Sequence, residues 1–226
     1  MAFHLHEVLH IGAEAIVGKG EWLGREAVQK QRRPRAWRHP ALDERLGKRR
    51  MVAEARLLIR LKKLGMHVPE VWDIDFTTGQ LVIEFLNGTT LIELLNRSTR
   101  VPSEIEQILK KVGYSVRLLH RQAITHGDLS TNNIMLVNGE VFLIDFGLAS
   151  IEYETERFGI DLHVLDEILR ASHPDWEGAI EFVLDGYREC ETIEGSAPVL
   201  QGGSVPSANE VIERLEMVRS RVRYHT

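Results

Sequence analysis

The stretch AITHGDLSTNNIMLVNGEVFLIDFG, residues 123–147, constrains this chain more than any other part of it. Ile134 to Val137 and Val141 to Ile144 are apolar runs of strand length flanking Asn138-Gly139. Asn-Gly is the strongest two-residue hairpin signal, because both residues tolerate positive φ. Folding the ribbon brings Asp128 and Asn133, which precede it, back beside Asp145, which follows it. Three groups able to handle a metal or a proton then converge at one end of an otherwise apolar segment. The plainest alternative gives Asp128 and Asn132 nothing beyond turn chemistry.

Bulk properties narrow the setting. A chain of 226 residues is long enough for one large domain or two small lobes. Hydrophobic residues at 43% and charged residues at 27% are ordinary for a water-soluble globular protein. The net charge of −5 argues against a molecule built as a whole to coat nucleic acid. Cys190 is the single cysteine, so no internal disulfide is available, as in a reducing compartment. There is no run long and apolar enough for a membrane span. The opening MAFHLHEVLH lacks a basic n-region and an apolar h-region, which leads us to expect a cytoplasmic protein, or a nuclear one where there is a nucleus.

Along the chain, EVLHIGAEAIVGKG and EWLGREAVQKQ predict short antiparallel strands punctuated by glycines. KRRMVAEARLLIRLKKLG predicts a helix stopped by Gly65, and EVWDIDFTTGQLVIEFL a hairpin turning at Thr78-Gly79. LIELLNR reads as a short helix. Ser103 with Glu106 suggests a capping box for the next one, whose Ile105, Ile108, Leu109, Val112, Val116 and Leu119 recur at helical spacing as a core stripe. Helices are expected around 159–171 and 175–190, a loop over EGSAPVLQGGSVPSANE, and a last helix from about Asn209 to Arg223. Strands early and helices late predict an α+β, bilobal chain. Residues 1–87 form a small β-rich lobe with one main helix, and residues 88–226 a larger, mainly helical lobe.

Asp128, Asn133 and Asp145 suit phosphoryl transfer, which needs a carboxylate to orient an attacking hydroxyl or water and hard oxygen ligands for Mg²⁺. The D-x₄-N spacing followed by D-F-G resembles the protein-kinase signature set. On that resemblance Asp128 is the catalytic base, and Asn133 and Asp145 are metal ligands. Lys30, after the apolar Val28, is the lysine for the α- and β-phosphates, and Glu54 is its helical partner. Glu84 and Phe85 mark a hinge for adenine, and Ile11, Gly12, Ala13, Glu14 and Ala15 a phosphate loop. That loop has one glycine and an acid instead of G-x-G-x-x-G. Gly127 stands where an arginine is usual and Ser130 where a lysine is usual. No A-P-E follows Gly147, so a full activation segment is not expected.

GAEA, HGDLSTNN, IDFGLAS and RAWRHPALD together resemble the small atypical serine/threonine kinase/ATPase subunit of the KEOPS complex. This PRPK-type family neighbours the RIO kinases and includes archaeal stand-alone chains. The resemblance runs through GIDLHVLDEIL to the final helix. It implies a kinase-like fold, ATP with Mg²⁺ or Mn²⁺, autophosphorylation and ATPase activity. It also implies partnership with the tRNA threonylcarbamoyltransferase and other KEOPS subunits, and contact with tRNA through the complex. Asp161 matches an aspartate that braces the catalytic loop. ETERFG and the terminal RVRYHT depart from the family pattern. The competing readings are a stand-alone serine/threonine kinase, a nucleotide-binding scaffold and a small-molecule phosphotransferase. The intact Lys–Glu–Asp–Asn–Asp set opposes the scaffold, and the missing activation segment opposes the stand-alone kinase.

Between Lys30 and Arg50 lie nine Lys/Arg against Asp43 and Glu44, in a chain that is acidic overall. The surplus makes a local positive field, or is balanced as a solvated loop. Arg33, Arg35 and Arg38, with Trp37 among them and Arg219, Arg221 and Arg223 in the last helix, are the candidates for contact with tRNA phosphates or an acidic partner.

Overall fold

Asn138 and Gly139 adopt φ of 52° and 85°, the left-handed pair that a tight hairpin demands. They join the strands Ile134–Val137 and Glu140–Leu143. The structure is a computed structural model that describes residues 3–12, 15–35, 37, 39–97 and 100–223. The chain divides into two compact units, residues 1–87 and 88–226.

The first unit is a five-stranded antiparallel sheet of order β1-β2-β3-β5-β4, comprising β1 His4–Ile11, β2 Ala15–Trp22, β3 Arg25–Arg32, β4 Val71–Asp75 and β5 Gln80–Glu84. Its helix, α1, spans Pro40–Lys63. Met51, Ala55, Leu58 and Leu61 of α1 are buried at helical spacing, as are Ala27, Leu81, Val82 and Ile83 of the sheet. The helix starts eight residues earlier than the apolar pattern predicts, so Pro40 to Gly47 is helical and not loop. Pro40 lies in the first turn, where its fixed φ favours initiation, and Asp43 complements the helix dipole there.

The second unit opens with β6 Thr89–Thr90, α2 Leu91–Arg97 and α3 Pro102–His120. All six residues of the predicted α3 stripe are buried. The predicted capping box does not form. The helix begins at Pro102, its N-cap is Val101, and no side chain caps it. Then come β7 Ile124–Thr125, β8 Ile134–Val137, β9 Glu140–Leu143, β10 Ser150–Ile151, α4 Thr155–Ser172, a 3₁₀ turn at Pro174–Trp176 and α5 Ala179–Glu194. β11 Val199–Leu200 and β12 Gly203–Ser204 form a small hairpin inside the segment read as loop, and α6 Ala208–Arg223 ends the fold. β6, β8 and β9 make one sheet, and β7 pairs with β10. The core of this unit lies among α3, α4, α5 and α6, where Phe158, Leu162, Val183, Tyr187, Val211 and Leu215 are completely buried. Among the described residues no helix is long and apolar enough to cross a membrane.

Candidate active site

Each unit carries its own constellation. In the first, the antiparallel register sets Lys30 of β3 opposite Val17 of β2 and Leu81 of β5. Lys30 Nζ and Glu54 Oε1 of α1 are 2.5 Å apart, with side chains only 13% and 11% exposed. A strand lysine and a helix glutamate are joined here because the apolar stripe of α1 packs on the sheet, leaving Glu54 on the flank that β3 reaches. The Glu84 carboxylate accepts from Lys62 Nζ at 3.2 Å and from the Glu70 backbone N–H at 3.1 Å, so this side chain ties β5 to the end of α1. Lys19 Nζ stands 3.8 Å from the centroid of the half-buried Phe85 ring and 2.8 Å from Glu26. In the segment expected to be a phosphate loop, Gly12 N–H donates to Ala15 O at 2.9 Å, Arg33 Nη1 donates to Gly12 O at 3.2 Å, and Ile11 is exposed. Ala13 and Glu14 lie outside the described residues, as does Arg38.

In the second unit Asp128 and Asp145 are exposed, while the residues that follow them, Leu129 and Phe146, are buried. That alternation answers the puzzle of the acceptor-rich apolar stretch. The apolar residues anchor the loop and leave the carboxylates at its surface. Asn133 Nδ2 donates to the Asp128 carbonyl at 2.9 Å and to Asp128 Oδ2 at 3.0 Å. With Nδ2 so engaged, Oδ1 is the amide atom left as a ligand. Ile144 N–H donates to Asn133 O at 2.9 Å, which pins the end of the hairpin to the loop. Asp145 has φ of 61°, a left-handed conformation that Asp tolerates better than bulkier residues, and its Oδ1 accepts from Gly147 N–H at 3.3 Å.

Behind the loop is a buried polar network. Asp161 of α4 accepts the backbone N–H of His126 at 2.5 Å and of Gly127 at 2.9 Å, and it faces His120 Nε2 at 3.2 Å. His120 Nδ1 is 2.7 Å from the Tyr187 hydroxyl. Burial pushes the His120 pKa down, so the ring is neutral, donating from Nε2 to Asp161 and accepting at Nδ1 from Tyr187. For Asp161, burial acts to raise the pKa, but the bonds from His120 and His126 outweigh it and hold the carboxyl below its ordinary range. Gly127 has φ of 77°, and a Cβ there would fall 2.3 Å from Leu148 O, so no side chain fits before Asp128. His126 Nε2 donates to Ile144 O at 3.0 Å, and its ring lies 4.9 Å from Phe146, linking the two motifs. His173 takes up Asn96 Oδ1 at 2.9 Å and Thr131 Oγ1 at 3.3 Å, supporting the loop from below.

Sequence reasoning missed His120, His126, Tyr187 and His173. His126 carried a signal, as a histidine two residues before the loop aspartate inside an apolar run. The others carried none, being 67 residues apart for His120 and Tyr187 and 42 for Thr131 and His173.

The helix-borne arginines sort differently from expectation. Arg219 is buried, with Nε on Asp166 Oδ2 at 2.7 Å and Nη1 on Glu216, so it is part of the fold and not of a basic surface. Arg221 is exposed and reaches Glu156 at 3.1 Å. Arg223 is the last residue of α6. Trp37 is 75% exposed, with the Arg35 guanidinium 5.5 Å from its ring.

Comparison with known proteins agrees with this architecture. The family model described as RIO domain matches residues 24–158. The EKC/KEOPS complex subunit Tp53rkb of Mus musculus is 33% identical over 225 residues, covering 96% of this chain and 86% of the relative. A probable bifunctional tRNA threonylcarbamoyladenosine biosynthesis protein of Methanothermobacter thermautotrophicus is 35% identical over 184 residues, covering 80% of this chain and 33% of that longer protein. Among solved structures, the Rio2 kinase of Chaetomium thermophilum, described as an ADP/Mg²⁺-phosphoaspartate complex, aligns with a TM-score of 0.58 at 14% identity, covering 98% of this chain and 73% of that one. The chain therefore has the Rio2-kinase-like fold and belongs to the RIO-domain family, among the EKC/KEOPS complex subunits.

Proposed function

We propose that this chain is an Mg·ATP-dependent atypical kinase or ATPase that serves as the KEOPS subunit supporting threonylcarbamoyl-adenosine modification of tRNA. The observation that carries the reading is the bonded Asp128–Asn133 pair with Asp145 following the hairpin, together with the half-buried Lys30–Glu54 ion pair. Lys30 binds the nucleotide phosphates, and Glu54 holds its ammonium in place. Asp128 accepts the proton of the attacking water or hydroxyl. Asn133 Oδ1 and the Asp145 carboxylate are hard oxygen donors of the kind Mg²⁺ prefers, and they fit it. The metal, when bound, supplies charge neutralisation at the transferring phosphoryl group. The backbone around Glu84 and Phe85 serves adenine, since the Glu84 side chain is engaged within its own unit.

Residues 148–154 between the D-F-G stretch and α4 are few and tied down, with β10 paired to β7 and Glu152 N–H on Ala123 O at 2.8 Å. They offer little platform for a peptide, which favours the complex-bound subunit over a stand-alone protein kinase. The bifunctional relative's name supports the tRNA assignment. Arg33, Arg35, Trp37 and Arg221 are the residues offered to tRNA or to a partner, with Arg219 withdrawn by its burial. The test is twofold. ATP turnover should require Mg²⁺ and be abolished by EDTA, and affinity purification should recover the threonylcarbamoyltransferase subunit. EDTA-insensitive turnover would reject the metal assignment, and purification without the transferase would reject the complex.

A further inference from the structure

The Lys30–Glu54 pair is not the only tie between β3 and α1. Two residues along the same strand, Arg32 Nη2 meets Asp43 Oδ2 at 2.7 Å and also bonds the Asp43 carbonyl, while Nη1 reaches Glu44 O at 3.4 Å. The Asp43 side chain is 6% exposed and additionally accepts the Arg35 backbone N–H at 3.2 Å. Residues two apart on a strand share a face. Residues eleven apart on a helix, as Asp43 and Glu54 are, come back to the same side after about three turns.

Gly47 lies on that same side of α1, one turn beyond Asp43 and one turn before the buried Met51. A Cβ built on it would fall 1.7 Å from Arg32 Nε and 1.9 Å from Cζ. The Arg32 side chain therefore occupies the gap that this glycine leaves. Glycine inside a helix is otherwise unfavourable. Arg32 is itself anchored, its backbone N–H donating to Gly79 O at 3.0 Å.

We propose that Arg32, seated over Gly47 and paired with Asp43, is a positioning residue for the phosphate-binding lysine. The Lys30–Glu54 and Lys62–Glu84 pairs hold the middle and the C-terminal end of α1. The Arg32–Asp43 pair, about 16 Å from Glu54 along the helix axis, holds its N-terminal end, and so helps to set where Glu54 holds Lys30. This deepens the proposed nucleotide chemistry and rests on the reading of Lys30 given above.

The experiment compares wild type, Arg32→Ala, Gly47→Ala and the Arg32→Ala/Gly47→Ala double variant, with Lys30→Ala as reference. It reads Mg·ATP turnover and amide hydrogen exchange over residues 40–58. Arg32→Ala and Gly47→Ala should each lower kcat about 10- to 100-fold, and the double variant should be no worse than Arg32→Ala. Exchange in α1 should speed up in both single variants, although alanine for a mid-helix glycine by itself slows it. Wild-type turnover with slowed exchange in Gly47→Ala overturns the proposal. So does a Gly47→Ala effect that persists when Arg32 is already gone. If Lys30→Ala turns ATP over like wild type, the reading of Lys30 itself falls and takes the positioning role with it. That outcome is told apart from failure of the clamp alone by the Lys30→Ala rate.

Discussion

The two units hold their functional side chains by opposite means. In the first, Lys30, Arg32 and Lys62 are set by ion pairs that cross from strand to helix and stay partly open to water, with Lys62 38% exposed. In the second, the loop bearing Asp128 is held through its backbone by a carboxylate sealed in the core, itself bonded to a neutral histidine whose other ring nitrogen meets a tyrosine hydroxyl. The contrast has a physical basis. On the proposed reading Lys30 must meet a phosphate, and its ammonium is held by a helix glutamate with neither side chain fully buried. The base and metal ligands proposed here need fixed positions, and a buried hydrogen-bonded network supplies rigidity that exposed charges do not.

The largest effect should come from breaking the buried network. Asp161→Ala strips the acceptor from the His126 and Gly127 N–H groups and from His120, at roughly 1–3 kcal/mol for each orphaned donor. Set against a total stability of about 5–15 kcal/mol, that should unfold or severely loosen residues 88–226, as read by urea denaturation. A melting temperature within a few degrees of wild type would show that the loop does not depend on this carboxylate.

A smaller effect separates the units by pH. Burial lowers the pKa of His120 and His173, so below the ordinary value of 6.5 the unfolded chain takes up protons that the folded second unit refuses. Stability should therefore fall as pH drops from 7 to 5, by up to about 1.4 kcal/mol per pH unit for each histidine. Asp161, with its pKa lowered from 3.8, adds a further loss only in stronger acid. In the first unit the exposed Glu44 and Asp75 are held down by Lys48 and by Thr78, and they respond only below 4.5. Hydrogen exchange corrected for its intrinsic pH dependence should show opening between pH 7 and 5 in the second unit alone. Equal opening in both units would erase the distinction.

Local signals were legible in the sequence. Asn138-Gly139 announced its hairpin, the α3 stripe announced its buried face, and the pairing of Lys30 with Glu54 could be sought because a strand lysine and a helix glutamate were both in view. What was not legible depends on distance along the chain. Nothing in the sequence near His120 points to Tyr187 or Asp161, because apolar periodicity is silent about which polar residues meet inside a core. The first two turns of α1 were hidden for another reason. Asp43, Glu44 and Arg45 interrupt the apolar pattern there and Gly47 weakens it further, and Pro40 was the one local sign of the true start. Arg219 misled in the reverse direction. It sits in an arginine-bearing terminal helix yet points inward at Asp166.

The central claim is that Asp128 acts in chemistry and not in folding, and one comparison tests it directly. Asp128 is exposed, and its carboxylate accepts from the amide of Asn133 at 3.0 Å. Mg·ATP turnover and thermal melting of Asp128→Ala should be measured side by side with wild type. The expected result is a rate lower by about 10²–10⁴-fold with an unchanged melting curve. Turnover within a few-fold of wild type, with the same melting curve, would contradict the account.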